Sequence, residues 1–185
     1  KPTHTTENSV LGRIQECIKN KPRLYTALIS IFSPIIVSPL FKEELQKVVS
    51  LYEDHGTIIN VGSGPGILLN NTSIIQIDQF AFQGVDIVAD AMSLPIKSSS
   101  VDAIISIALL EHVKRPDIII QETYRILKTN GSIFCFVPFI QAYHAAPHDY
   151  YRWTKNGLEH SFSKFKSVKI FIGAGPTSGM LWIVQ

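Results

Sequence analysis

The sequence predicts an α/β fold, a doubly wound and mainly parallel sheet preceded by N-terminal helices. Three observations carry that expectation. A β-branched run at residues 57–61 stops abruptly in three glycines at alternate positions, Gly62, Gly64 and Gly66. Further apolar runs follow at 73–77, 85–89, 101–107 and 132–137, and the first two end directly on Asp78 and Asp90. A helical stripe then separates the last two runs, as the crossover between parallel strands requires. A chain of 185 residues suits one compact domain with its own core.

The elements can be justified in order. Val10, Leu11, Ile14, Cys17 and Ile18 recur at helical spacing, residues 23–32 read as a second helix, and Leu40, Phe41, Leu45, Val48, Val49 and Tyr52 form a third stripe closed by Gly56. Residues 1–56 are therefore expected to form an N-terminal helical cap over a core at 57–185. Their apolar faces are expected to pack on that core, with the helices lying at a sheet edge or over the site. The run at 57–61 is mostly apolar without alternation, the pattern of a strand buried on both faces. Residues 117–127 carry Ile118, Ile119, Glu122, Arg125 and Ile126 in amphipathic order. The "KTNG" that follows is expected to close this helix, with Gly131 where the chain leaves for the fifth strand.

Composition narrows the function classes. Hydrophobic residues make up 45% and charged residues 17%, so the chain is globular rather than disordered. The net charge is +2 and the basic residues are scattered, which argues against a nucleic-acid groove. Two distant cysteines, Cys17 and Cys135, predict unlinked thiols in a reducing, cytoplasmic setting. The apolar stretch at 27–41 is broken by Pro34 and Pro39 and is too short to span a bilayer, though contact with a membrane surface stays open.

Asp78, Asp90 and the glycine loop all follow parallel strands, so they should share one rim of the sheet, where open α/β folds bind ligands. A carboxylate ending the second strand can accept hydrogen bonds from a ribose diol, which points to a nucleoside. A dinucleotide site would need G-x-G-x-x-G opening a long helix whose N-terminus holds a pyrophosphate. This loop is G-x-G-x-G, only residues 67–72 separate it from the next strand, and no G-K-[ST] follows. The ligand expected here has no phosphate, and a nicotinamide-dependent oxidoreductase is disfavoured.

The segments "INVGSGPGI", "IIQIDQF", "DIVADAMSLPIKSSSVDAIISIALLEHV" and "IIIQETYRILKTNGSIFCFVPF" resemble, in order and spacing, the motifs of class I S-adenosylmethionine-dependent methyltransferases of the small-molecule type. The resemblance implies a Rossmann-like sheet and S-adenosylmethionine as cofactor. It implies that Gly62, Ser63, Gly64 and Gly66 pack against the methionine and ribose portions and that Asp78 binds the ribose hydroxyls. Asp90 would take the adenine amino group, with Ala91 and Met92 beside the ring, and Ile107 and Ala108 would form the floor. The chain departs from the pattern at Asn60, where many relatives carry an acidic residue, and in the short connection after the glycines. "PFIQAYHAAPHDYYRWT" resembles a subset found in polysaccharide and glycosyl-transfer contexts.

That last stretch, residues 138–154, gathers Tyr143, His144, His148, Asp149, Tyr150, Tyr151, Arg152 and Trp153 with little apolar periodicity. It follows the fifth strand and should present a small-molecule acceptor at the cofactor rim. Aromatic faces can stabilise a sulfonium or stack on a sugar, and His144 or His148 can remove a hydroxyl proton, with Asp149 beside them. A surface loop anchored by its aromatics, with Asp149 paired to Arg152, is the plainer alternative. No metal is expected: His144 and His148 are four apart, a spacing that makes a site only on a helix, and Pro147 argues against one. His112 is a further candidate base or a structural hydrogen-bonding residue. The function expected is methyl transfer to a small molecule, such as a hydroxyl of a sugar or other metabolite. The alternative is a non-catalytic or regulatory domain that keeps the fold, suggested by Asn60 and the short loop.

Overall fold

The computed structural model describes residues 37–65, 73–144 and 148–175. The helices expected within residues 10–32, with Cys17, Gly66 and the connection at 67–72, lie outside the described residues. Five strands form one sheet: β1 (Ile58–Val61), β2 (Ile74–Asp78), β3 (Ile87–Val88), β4 (Val101–Ile107) and β5 (Leu127–Phe136). Their order is β3-β2-β1-β4-β5 and every neighbouring pair is parallel. The winding therefore reverses between β1 and β4, which opens a crevice at their carboxyl ends. All four residues of β1 are buried, as its unbroken apolar run requires.

Helix α1 (Pro39–Tyr52) covers one face of the sheet. Ser38 caps it by accepting the Phe41 N–H at 3.1 Å, and Pro39 occupies the first turn, where its missing donor is no loss. Phe41, Leu45 and Val49 recur every fourth residue and bury against Ile58, Ala103, Ile105 and Phe134. Burial contributes roughly 1.5–3 kcal/mol for each such side chain. The described helix of the N-terminal region is thus a layer of the main core, as the spacing of its apolar residues suggests.

The opposite face packs Ile59, Val61, Ile77, Ile104 and Leu94 against Ile126 of helix α2 (Pro116–Ile126). Glu122 and Arg125 of that helix fasten the loop before β4. Glu122 accepts the Leu94 N–H at 2.8 Å, while Arg125 donates to the Ile96 carbonyl at 2.8 Å and to Glu122.

Two elements differ from expectation. Helix α2 ends at Ile126 and β5 begins at once, so "KTNG" lies inside the strand instead of closing the helix. The turn survives as a local bend: Asn130 has φ +66° and the ladder with β4 shifts register between Val101 and Ala103. Gly131 is needed there because a Cβ would meet the Asp102 carbonyl at 2.8 Å. At the other edge β3 is reduced to two residues, although Asp86 and Ala89 on either side still donate to β2 carbonyls.

Candidate active site

The glycine loop owes its shape to two backbone positions. Gly62 has φ +73° and Gly64 φ +63°, the left-handed region that only glycine enters without strain. A Cβ on Gly62 would lie 2.7 Å from Leu109 Cδ1, whereas one on Gly64 would meet nothing within 4 Å. The Gly62 and Ser63 N–H groups both donate to the Ile77 carbonyl, at 2.9 and 3.0 Å, so the loop folds over the end of β2. Asp78 then fixes it, accepting the Gly64 N–H through Oδ2 and the Phe80 N–H through Oδ1, each at 2.9 Å. The Ser63 hydroxyl is buried and has no hydrogen-bond partner.

Beside this loop lies a cleft of about 450 Å³, counting space open to solvent. Gly62, Asp78, Asp90, Ala91 and Met92, all singled out from sequence, line it together. Asp90 turns the chain by accepting the Met92 N–H at 2.8 Å. After β4 the lining side chains are Leu109 and Val113, and Ile119 of α2 completes that wall. Ile107 packs on the α1 side of the core, and Ala108 forms the turn that aims Leu109 inward; neither lines the cleft. Ala108 holds φ +53°, an uncommon state for a side-chain-bearing residue, with its N–H bonded to the Phe136 carbonyl at 2.9 Å. Leu109 and Val113 belong to the quoted "ALLEHV" stretch, so the signal was present but pointed to its first residues.

The segment after β5 docks on that same stretch through main-chain atoms. The Tyr150 N–H donates to the Glu111 carbonyl at 2.7 Å, His112 Nδ1 donates to the His148 carbonyl at 2.6 Å, and the Tyr151 hydroxyl donates to the Lys114 carbonyl at 3.0 Å. Arg152 forms a two-pronged pair with Asp149 and also donates to the Gln141 and Ala142 carbonyls, at 2.9 Å each. Asp149 accepts the His144 N–H at 2.8 Å. Its bond to Arg152 holds its carboxyl down at about 2.

A buried polar cluster results. Glu111 has no exposed surface, and among the described residues neither of its carboxylate oxygens has a side-chain or main-chain hydrogen-bond partner elsewhere in the chain. Burial pushes its pKa up to about 7, against the pull of its own backbone N–H and then of Arg152. His112 Nε2 lies 3.9 Å from Glu111 Oε1, and the His112 and His144 rings meet edge to face with centroids 5.0 Å apart. Burial holds the His112 pKa below its ordinary value. His148 stands apart, exposed and packed against the Tyr150 ring at 5.6 Å. Cys135 is a free thiol whose pKa burial raises to about 12, so it is inert at neutral pH.

Residues 59–135, which hold the sheet, the cleft and the Glu111 turn, match the family described as "Methyltransferase domain". The match covers less than half of the chain and lies within the sheet and the cleft. Solved structures with TM-scores above 0.5 share the chain's fold. A SAM-dependent methyltransferase of Thermotoga maritima, described as a candidate histamine N-methyltransferase, is 18% identical with a TM-score of 0.55 over 80% of this chain and 79% of that one. A candidate methyltransferase of Bacillus halodurans C-125 is 14% identical, with a TM-score of 0.51 over 66% and 68%. The [4+2]-cyclase SpnF is 21% identical, with a TM-score of 0.49, and the chain spans 66% of its own length and only 55% of the cyclase's. No curated protein sequence matches the chain. Among the described residues no helix is long and apolar enough to cross a membrane.

Proposed function

We propose that this chain transfers a methyl group from S-adenosylmethionine to a small-molecule hydroxyl, such as one on a sugar or other metabolite. The observation that carries the reading is the docking of residues 148–152 on the turn after β4, beside the cleft wall formed by Leu109 and Val113. The cofactor, when bound, supplies an electrophilic methyl on a sulfonium. In this reading Gly62, Ser63 and Gly64, with Gly66, take the methionine and ribose portions. Asp78 keeps lone pairs for the ribose diol beyond those used on Gly64 and Phe80, and Asp90 takes the adenine amino group with Ala91 and Met92 along the ring. Ile107 and Ala108 support the floor on which Leu109 sits.

The acceptor side belongs to the aromatic and histidine-bearing segment. Tyr150, Tyr151 and Trp153 form a run of tilted rings with successive centroids 6.4 and 5.9 Å apart, a surface suited to stacking on a sugar. His144 or His148 takes the hydroxyl proton. Asp149 is ionised and spent on Arg152 and the His144 N–H, so it acts as a positioning residue rather than the base. Most of the acceleration then comes from aligning the acceptor with the S–CH₃ bond.

The test is to follow S-adenosylhomocysteine formation with a panel of sugars, glycosides and other hydroxyl compounds beside a matched panel of amines. Turnover confined to amines would overturn the hydroxyl assignment. Saturable cofactor binding without turnover on either panel would favour a regulatory domain. Asn60 supports that second reading: it is buried and donates to Gln76 at 2.9 Å, where many relatives offer a carboxylate.

A further inference from the structure

Glu111 poses a problem that methyl transfer does not answer. A buried ionised carboxylate is normally paired, hydrogen-bonded or bound to a metal. Arg152, whose charge is felt at Glu111, is already paired with both oxygens of Asp149. His112 and His144, contributed by the turn after β4 and by the segment after β5, bring their ring nitrogens to this carboxylate. One ligand atom from each of the three lies within 4.8 Å of the others.

We propose that Glu111, His112 and His144 form a site for a borderline divalent transition-metal ion of the zinc class. Two imidazoles and one carboxylate are a recurring ligand set for such ions, leaving a position open to water or an acceptor oxygen. The orientation of the rings agrees. His112 Nδ1 is 2.6 Å from the His148 carbonyl and His144 Nδ1 is 3.0 Å from the Ala142 carbonyl. A backbone acceptor at His112 Nδ1 favours the tautomer whose Nε2, 3.9 Å from Glu111 Oε1, can ligate a metal, the usual outer support of a metal-binding histidine. Bonds of about 2.0–2.2 Å place tetrahedral ligands roughly 3.3 Å apart, so closing around an ion needs movements of about an ångström. The ion would leave Glu111 ionised and satisfy the oxygens that otherwise lack partners among the other described residues. With His144 as a ligand, proton removal from a hydroxyl falls to His148.

The ion would sit beside Leu109 and Val113 of the cleft wall, but its binding does not depend on the methyl-transfer reading. The test uses the full chain, stripped with chelator and then titrated with Zn²⁺ against a chromophoric competitor, with S-adenosylhomocysteine binding measured separately. The expected result is one equivalent of zinc per chain. Glu111→Gln and His144→Ala should each weaken it by at least the 10- to 100-fold that losing even an outer-sphere partner costs, with S-adenosylhomocysteine affinity within about threefold of the parent's. Should either variant fail to fold, His144→Gln and cobalt(II) absorption spectra of the parent protein take its place, the cobalt spectrum reporting mixed nitrogen and oxygen coordination. No saturable zinc binding by the parent protein, or equal affinity in the folded variants, overturns the site. Zinc binding without S-adenosylhomocysteine binding would overturn the cofactor reading and leave this one standing.

Discussion

Gly62→Ala and Gly64→Ala form a matched pair that separates backbone conformation from packing at the glycine loop. Both glycines hold left-handed φ, so either substitution carries the penalty of an L side chain there, about 1–2 kcal/mol. Gly64→Ala carries little else, because its Cβ would meet no atom within 4 Å. Gly62→Ala places its Cβ 2.7 Å from Leu109 Cδ1 and 3.0 Å from Leu109 Cβ. The methyl carbon can rotate away, but Leu109 Cβ moves only with its backbone, and that backbone is tied to Ala108. Overpacking of this kind adds about 1–3 kcal/mol, so Gly62→Ala should destabilise by roughly 2–5 kcal/mol against about 1–2 for Gly64→Ala. For a chain of this size each kcal/mol shifts Tm by about 2–4 °C. Urea and thermal unfolding should therefore separate the two variants clearly. Because Leu109 lines the cleft, Gly62→Ala should also weaken S-adenosylhomocysteine binding in calorimetry. If Gly62→Ala were as stable as Gly64→Ala, the contact with Leu109 would not be what demands glycine, and the account of the loop would be wrong.

Other expectations follow from single contacts. Asp78→Ala should lower S-adenosylhomocysteine affinity by about 10- to 150-fold, since a charge-assisted bond contributes roughly 1.5–3 kcal/mol; an unchanged calorimetric titration of the folded variant would remove Asp78 from the ribose site. NAD should give no saturable thermal shift at millimolar concentration, and a shift larger than that with S-adenosylhomocysteine would reverse the choice of cofactor. Asp149→Asn should lower turnover more than cofactor affinity, because it loosens Arg152 and the His144 N–H without touching the cleft; steady-state kinetics beside calorimetry decide this. Glu122 is held below its ordinary pKa of 4.5 by Arg125, so its contribution is fully present above that pH and is lost as pH falls through the lower folded value. The stability difference between the parent protein and Glu122→Gln should accordingly shrink on acidification below pH 4.5, and a difference that grows instead would contradict the ion pair.

The parts of the fold visible in the sequence are those set by local chemistry and burial. The span of β4 agrees with its run at both ends, because Val101, Ala103, Ile104 and Ile105 are buried in a central strand that also accommodates Asp102 and Ser106. The bend around Asn130 was misplaced because Asn and Gly signal a left-handed turn without saying whether the ladder resumes on both sides of it. At the site, Asp78 and Asp90 were legible because Asp78 ends β2 and Asp90 follows β3 by two residues, a position that puts both at the cleft. Leu109 was missed by one residue: the left-handed Ala108 makes the following side chain, not Ala108 itself, enter the cleft.

The Glu111 cluster could not be read from spacing at all, and the reason bears on how the site works. What brings His144 to Glu111 and His112 is main-chain docking: the Tyr150 N–H on the Glu111 carbonyl and the His148 carbonyl on the His112 ring. Backbone bonds of this kind carry no residue signature. They make the turn after β4 and the segment after β5 one unit, so a change in either must move the other. The turn carries Leu109 and Val113 of the cleft, and the segment carries the histidines and tilted aromatic rings that the proposed function assigns to an acceptor. Binding on one side of this unit should therefore be felt on the other through His112, whose ring bridges the two.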